Sequence, residues 1–323
     1  MSSKERISWI DSAKGILMLC VIAGHTLTLW NLPERLIYSF HIPLFVILSG
    51  LTMGDVLSTK EFFIKLKKSF FQLIIPMLCI YALEAIGFMI KDSLSFVETI
   101  KLFCNTSLYA IHVPWFLCVL FYARLFYNLL LLLKKEKLLI FLAIFISAYF
   151  IPKIPGFNGF YQQLEKVPFF MFFLFVGRAI KKYNLIDALK KHGQILIFIF
   201  MPLWLILLDK AYFDLGLFYL GDLKYAIPCA ALACSTMIYF FITLDPYLNR
   251  LRQFNIFSLI GQHTILLLAI HDLDFIFMPW HKSFSTRLDE YGTLILKILF
   301  ILAVMGIILA GRKILMERKS DDI

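Results

Sequence analysis

The chain is 323 residues long, 60% apolar and only 17% charged, with a mean hydropathy of +0.80. Soluble domains sit nearer ~45–50% apolar and ~25% charged, so this composition excludes a water-soluble globular domain. The net charge of +10 does not mark a nucleic-acid binder, because Lys and Arg fall in short clusters between apolar runs, as they do in the cytoplasmic loops of membrane proteins.

Taken in chain order, the apolar runs predict ten spans: Trp9–Trp30, Leu36–Leu57, Ser69–Ile90, Val113–Leu133, Leu138–Ile151, Val167–Ile180, Gln194–Leu208, Leu223–Leu244, Phe254–Met278 and Thr293–Gly311. The fifth to seventh are short for a ~30 Å hydrocarbon core. The fold class expected is all-α, a polytopic membrane protein of about ten transmembrane helices. No linker is long enough to hide a second domain, so residues 1–323 read as one integral-membrane domain. Loops on the amino-terminal side carry more than twice as many Lys and Arg as the opposite loops, which puts both termini in the cytoplasm. Cysteines 20, 79, 104, 118, 229 and 234 lack CxxC spacing and fall mostly in apolar runs, so neither a disulfide framework nor a metal site is expected.

Ionisable residues at depth carry the functional signal, since each is expensive unless paired or solvated. In the first span Lys14 and His25 are eleven residues apart, within ~20° of a whole number of turns and ~16 Å along the axis. Asp11 falls within ~40° of the same stripe. His41 opens the second span after a loop of about five residues, so the topology delivers a second imidazole to the end where His25 finishes. Glu84, His112, Trp115, Arg124 and His271 follow on later spans, with Asp272 beside His271 as a carboxylate able to orient it. Asp274 reads as the wet end of its helix. On the expected topology His25, His41, Glu84, His112 and His271 gather in the extracytoplasmic half, while Lys14, Lys65, Lys67 and Lys68 gather at the cytoplasmic mouth. That segregation suits an anionic ligand held from the cytoplasm and proton transfer nearer the outside. Phosphate-loop, dinucleotide, HExxH and GxSxG motifs are absent.

Asp11-x-x-Lys14-Gly15 closing on Gly24-His25, then Phe40-His41-x-Pro43-Leu44-Phe45 with Leu48-Ser49-Gly50, resembles the signature of acyltransferase family 3, in its fucose 4-O-acetylase-like branch. The resemblance extends to Pro114-Trp115-Phe116-Leu117 and to the Gly261…His271 segment. It implies a multi-pass enzyme of the bacterial cytoplasmic membrane that takes an acyl group, usually acetyl, from cytoplasmic acyl-CoA. The acceptor would be a hydroxyl on an envelope glycan or lipid-linked sugar. The family's basic-x10-His motif falls on Lys14 and His25, and its second histidine on His41. Lys14 stands where many members have Arg, which keeps the charge but loses bidentate phosphate recognition.

The sequence therefore nominates acetyl-CoA as donor substrate with no metal. His25, His41 and Asp11 are the catalytic candidates, with His25 either a general base or an acyl carrier. Lys14, Lys65, Lys67 and Lys68 are candidates for the CoA phosphates, and Glu84, Trp115, Arg124 and His271 for the acceptor or the oxyanion. A transporter or flippase that uses the deep His, Glu and Asp as a proton relay stays open as the alternative.

Overall fold

The computed structural model describes residues 7–28, 31–99, 114–135, 137, 160–216, 218–250, 255–278, 280 and 289–321. Among these residues the chain is helical and holds no strand. The one strand-like feature is an isolated antiparallel bridge between Asp214 and Tyr219.

The chain opens with α1 (Ser8–Gly24), a short α2 (Leu32–Tyr38) and α3 (His41–Thr52). Then α4 (Thr59–Ser69) runs through a π-helical turn (Phe70–Ile74) into α5 (Ile75–Lys91). Next come α6 (Trp115–Leu132), α7 (Phe160–Lys182), α8 (Leu185–Leu208) and α9 (Leu223–Arg250). The last elements are α10 (Ile256–Gln262), α11 (Thr264–Phe277) and α12 (Glu290–Asp321).

Among the described residues, six stretches are long and apolar enough to cross a bilayer: Leu32–Thr52, Thr59–Lys91, Trp115–Leu132, Leu185–Leu208, Leu223–Leu248 and Glu290–Glu317. The pair α10–α11 makes a seventh if taken as one broken span. The expected first span is a 17-residue helix, and the expected run Val167–Ile180 lies inside the longer α7. The expected Leu138–Ile151 span and His112 lie outside the described residues. The stretch holding α3 is 67% buried, whereas those of α8 and α12 are only 17% buried. So α3 sits at the centre, and α8 and α12 turn Phe198, Ile206 and Ile307 outward, where lipid is the solvent.

Two glycine-lined crossings set this packing. A Cβ on Gly261 would stand 1.7 Å from the Asp11 carbonyl oxygen, and one on Gly15 2.0 Å from that of Phe257, so α1 and α10 touch backbone to backbone. The same holds between α3 and α7, where a Cβ on Gly50 would meet the Leu174 oxygen at 2.3 Å and one on Gly177 the Ile47 oxygen at 2.1 Å. Small residues are what permit such approach in a membrane, where burial against lipid supplies no drive between helices.

The span expected over Phe254–Met278 is broken, since α10 and α11 meet at an angle of 84°. His263 has left the helical basin (φ −118°, ψ 29°), and Asn255 caps α10 by accepting from the Ser258 amide at 3.0 Å. The crossing over α1 holds α10 in its own direction, and α11 turns away from it. A second irregularity lies ahead of Pro76, whose ring lacks an N–H and crowds the carbonyl four residues back, that of Gln72. The π turn Phe70–Ile74 widens the helix there.

Replacing Gly261 by Ala should lower the thermal stability of the detergent-solubilised protein by about 1–3 kcal/mol or more, since backbone and not a flexible side chain blocks the new methyl. Gly306→Ala, which meets nothing within 4 Å, should leave it unchanged or raise it slightly.

Candidate active site

A cavity of about 870 Å³ opens between the helices. Lys14, Met18, Val21 and His25 line it from α1, at spacings of four, three and four, which is one helical stripe. Opposite them stand His41, Ile42, Phe45, Ser49 and Thr52 of α3, with Tyr38 from the end of α2. The widened turn contributes Phe71, Gln72, Leu73 and Pro76. Trp115, Phe116, Leu117, Leu120 and Arg124 come from α6, and Thr264, Ile265 and Leu268 from α11.

Helix rise orders these residues along the cavity. Lys14 and His25 are ~16 Å apart along α1, and His41 and Ser49 ~12 Å apart along α3. The Arg124 guanidinium donates to Ser49 Oγ from Nη2 at 2.7 Å and from Nε at 3.2 Å. Two cations, Lys14 and Arg124, thus belong to the part of the cavity remote from the histidines.

At the other end, Tyr38 packs between Gly24, the residue before His25, and the His41 ring. Gly24 leaves room for its ring, which a Cβ there would meet at 2.9 Å, and the ring stands 4.9 Å from that of His41. His41 Nδ1 lies 2.9 Å from the Ile37 carbonyl oxygen. A carbonyl only accepts, so Nδ1 carries the proton and Nε2 of the neutral ring carries the lone pair. Nε2 has no hydrogen-bond partner among the described residues.

The remaining candidates fall elsewhere. Asp11 does not line the cavity; its backbone is pressed against Gly261 at the α1–α10 crossing. Lys65 Nζ donates to the Gly54 carbonyl at 2.8 Å and to that of Asp55, closing the turn after α3. Lys67 and Lys68 are exposed on α4, away from the cavity. Glu84 is buried on α5 and hydrogen-bonded to Asp272, and His271 is fully buried behind His25, their ring centroids 5.4 Å apart.

Among the lining groups that were not singled out from sequence are Gln163 and Lys166 of α7, and Asp214 of the segment between α8 and α9. The expected span Val167–Ile180 leaves Lys166 just outside it; α7 instead begins at Phe160 and runs through Pro168. Extending the helical period back through Gln163 and Lys166 would have found both.

The acyltransferase-3 family model, an acyltransferase domain, matches residues 7–312. The chain belongs to this family and is a multi-pass membrane acyltransferase. Neither a curated protein nor a solved structure matches it.

Behind its histidines the acyltransferase buries a charged cluster. Asp274 Oδ1 lies 3.3 Å from Lys297 Nζ, both residues nearly inaccessible, and Asp274 Oδ2 lies 3.9 Å from His271 Nδ1. The Lys297 ammonium also sits 3.9 Å from the centre of the Phe275 ring, which itself packs on His25 and His271. The expectation that Asp274 marks a wet helix end is corrected by this burial. Lys297 on α12 neutralises it, and neither residue reaches the cavity.

Lys297→Met should destabilise the protein by about 3–5 kcal/mol in reversible unfolding from mixed micelles, because it strands a buried carboxylate. Adding Asp274→Leu to that variant should recover most of the loss.

Proposed function

We propose that this protein is an O-acyltransferase that moves an acetyl group from cytoplasmic acetyl-CoA to a hydroxyl of an envelope glycan or lipid-linked sugar, across the bacterial cytoplasmic membrane. The observation that carries the reading is one cavity lined by two cations, Lys14 and Arg124, at one end and by two imidazoles at the other. CoA brings phosphates at one end of a long chain and a thioester at the other, and the separation of Lys14 from His25 suits a ligand of that shape. Lys14 and Arg124 then hold phosphate. Arg124 replaces the lysines of α4 in this role, because those lie outside the cavity.

His41 is the base that the geometry prepares, since Nε2 can only accept a proton. The acceptor oxygen gives its hydroxyl proton to Nε2 as it bonds to the thioester carbonyl carbon. The C–S bond breaks, and the departing thiolate takes a proton from the imidazolium, leaving an ester and free CoA. His25 is the partner imidazole on the facing helix, with His271 and Phe275 against its ring. Metal is not needed for this sequence of bonds.

Purified protein incubated with labelled acetyl-CoA should bind it saturably and release CoA, which a transporter would not do. His41→Ala and His25→Ala should each insert normally and lower CoA release by ~10²–10⁴-fold. Lys14→Ala should instead raise the KM for acetyl-CoA by about tenfold or more, as loss of one charge-assisted hydrogen bond would, with Lys14→Arg retaining the wild-type value. Full turnover by a well-inserted His25→Ala, His41→Ala double variant would end this assignment.

A further inference from the structure

At the end of the cavity away from Lys14, four groups converge that the donor does not need. The Lys166 ammonium is almost completely buried, donating to Gln163 Oε1 at 3.1 Å and to the Gly216 carbonyl at 2.6 Å. It also stands 4.3 Å from the centre of the Trp115 ring. An ammonium has three N–H donors, so one remains for a ligand. Because Lys166 can only donate, it fixes the Gln163 amide with its oxygen toward the ammonium. The Gln163 Nε2 is then a buried donor without a partner among the described residues.

An acceptor stands beside these donors. Asp214 brings a carboxylate to the cavity wall, and among the described residues it is the one acidic residue that lines it. The segment that carries it is built into the bundle. Asp214 and Tyr219 exchange backbone hydrogen bonds of 2.8 and 2.9 Å, Tyr212 donates to buried Glu34 at 2.7 Å, and Phe213 packs on Phe169 and Phe173. A connecting segment normally runs over the surface; this one is anchored in the bundle and sets Asp214 in the cavity wall beside Lys166.

We infer that Gln163, Lys166 and Asp214, beside Trp115, form the acceptor subsite and that it takes an uncharged ring bearing adjacent hydroxyls. Hydroxyls both donate and accept, so one ring satisfies the two spare N–H donors and the carboxylate together. Charge sets the class. One cation and one anion, Lys166 and Asp214, line this end, whereas the charged residues lining the other end are the cations Lys14 and Arg124. An anionic sugar would face Asp214 unpaired in a low-dielectric site, so this end discriminates against uronate-type rings. The inference rests on the acyl-transfer reading above.

CoA release from acetyl-CoA is measured with methyl hexosides, with the matching methyl hexuronosides, and with the same hexose linked to a prenyl chain. The wild-type enzyme should use neutral hexosides and not the uronosides, and the prenyl-linked arm tells a lipid-borne acceptor from a free one. Asp214→Asn should raise the KM for neutral hexosides by about tenfold or more while the donor KM stays within about twofold, a loss on the order of one charged hydrogen bond. It should also improve the uronoside, since Lys166 is then uncompensated; a merely structural role would not reverse the preference. Lys166→Met should weaken the neutral acceptor without that reversal. Preference of the wild-type enzyme for uronosides, or acceptor KM values unchanged in both variants, would overturn the subsite. CoA release that no hexoside accelerates would overturn it while leaving acyl transfer standing, and no CoA release at all would remove the reading beneath it.

Discussion

An ionised side chain at membrane depth has to be paired or wet, and this constraint sorts every deep charge in the acyltransferase. Asp274 and Lys297 neutralise each other in a dry pocket, and Glu84 shares a hydrogen bond with Asp272. Lys14, Arg124, Lys166 and Asp214 instead face one cavity. Two carboxyl groups hydrogen-bond only through a proton on one of them, so the Glu84–Asp272 contact also removes a charge from the interior. The charges that are not packed away in these pairs line the space where a substrate can meet them.

The cavity exists because the helices around it are held unevenly. The Gly15–Gly261 and Gly50–Gly177 crossings draw α1 onto α10 and α3 onto α7 at backbone distance. Elsewhere the helices are kept apart or bent: the π turn widens the entry to α5, and α10 breaks from α11 at His263. Close contact at the crossings fixes the rotation of α1 and α3, and with it the faces that carry Lys14, His25, His41 and Ser49. Packing and site are therefore one problem, since Gly15 is the neighbour of Lys14 and Gly50 the neighbour of Ser49.

Much of this was legible in the residues. Periodicity placed Lys14 and His25 on one stripe, and the short connection after α1 brought His41 to the same end, because both follow from local geometry. The family was legible in the same segments. Partners across the fold were not. Lys65 and Arg124 both read as cations in search of an anion, yet one is consumed by two carbonyls and the other is set beside Ser49 in the cavity. Asp274 read as solvated because its partner Lys297 lies on another helix. Asp11 shares the angular position of the stripe, but the α1–α10 crossing occupies that level of the helix. Lys166 and Asp214 were hidden by a proline inside a helix and by a connecting segment folded inward, features that spacing alone does not reveal.

A structure of the protein bound to an acetyl-CoA analogue with a thioether in place of the thioester tests the central claim most directly. The account predicts phosphate oxygens within hydrogen-bond reach of Lys14 and Arg124, with the acyl end of the same molecule between His25 and His41. A ligand bound with its phosphates elsewhere, or with its acyl end remote from both imidazoles, would contradict it.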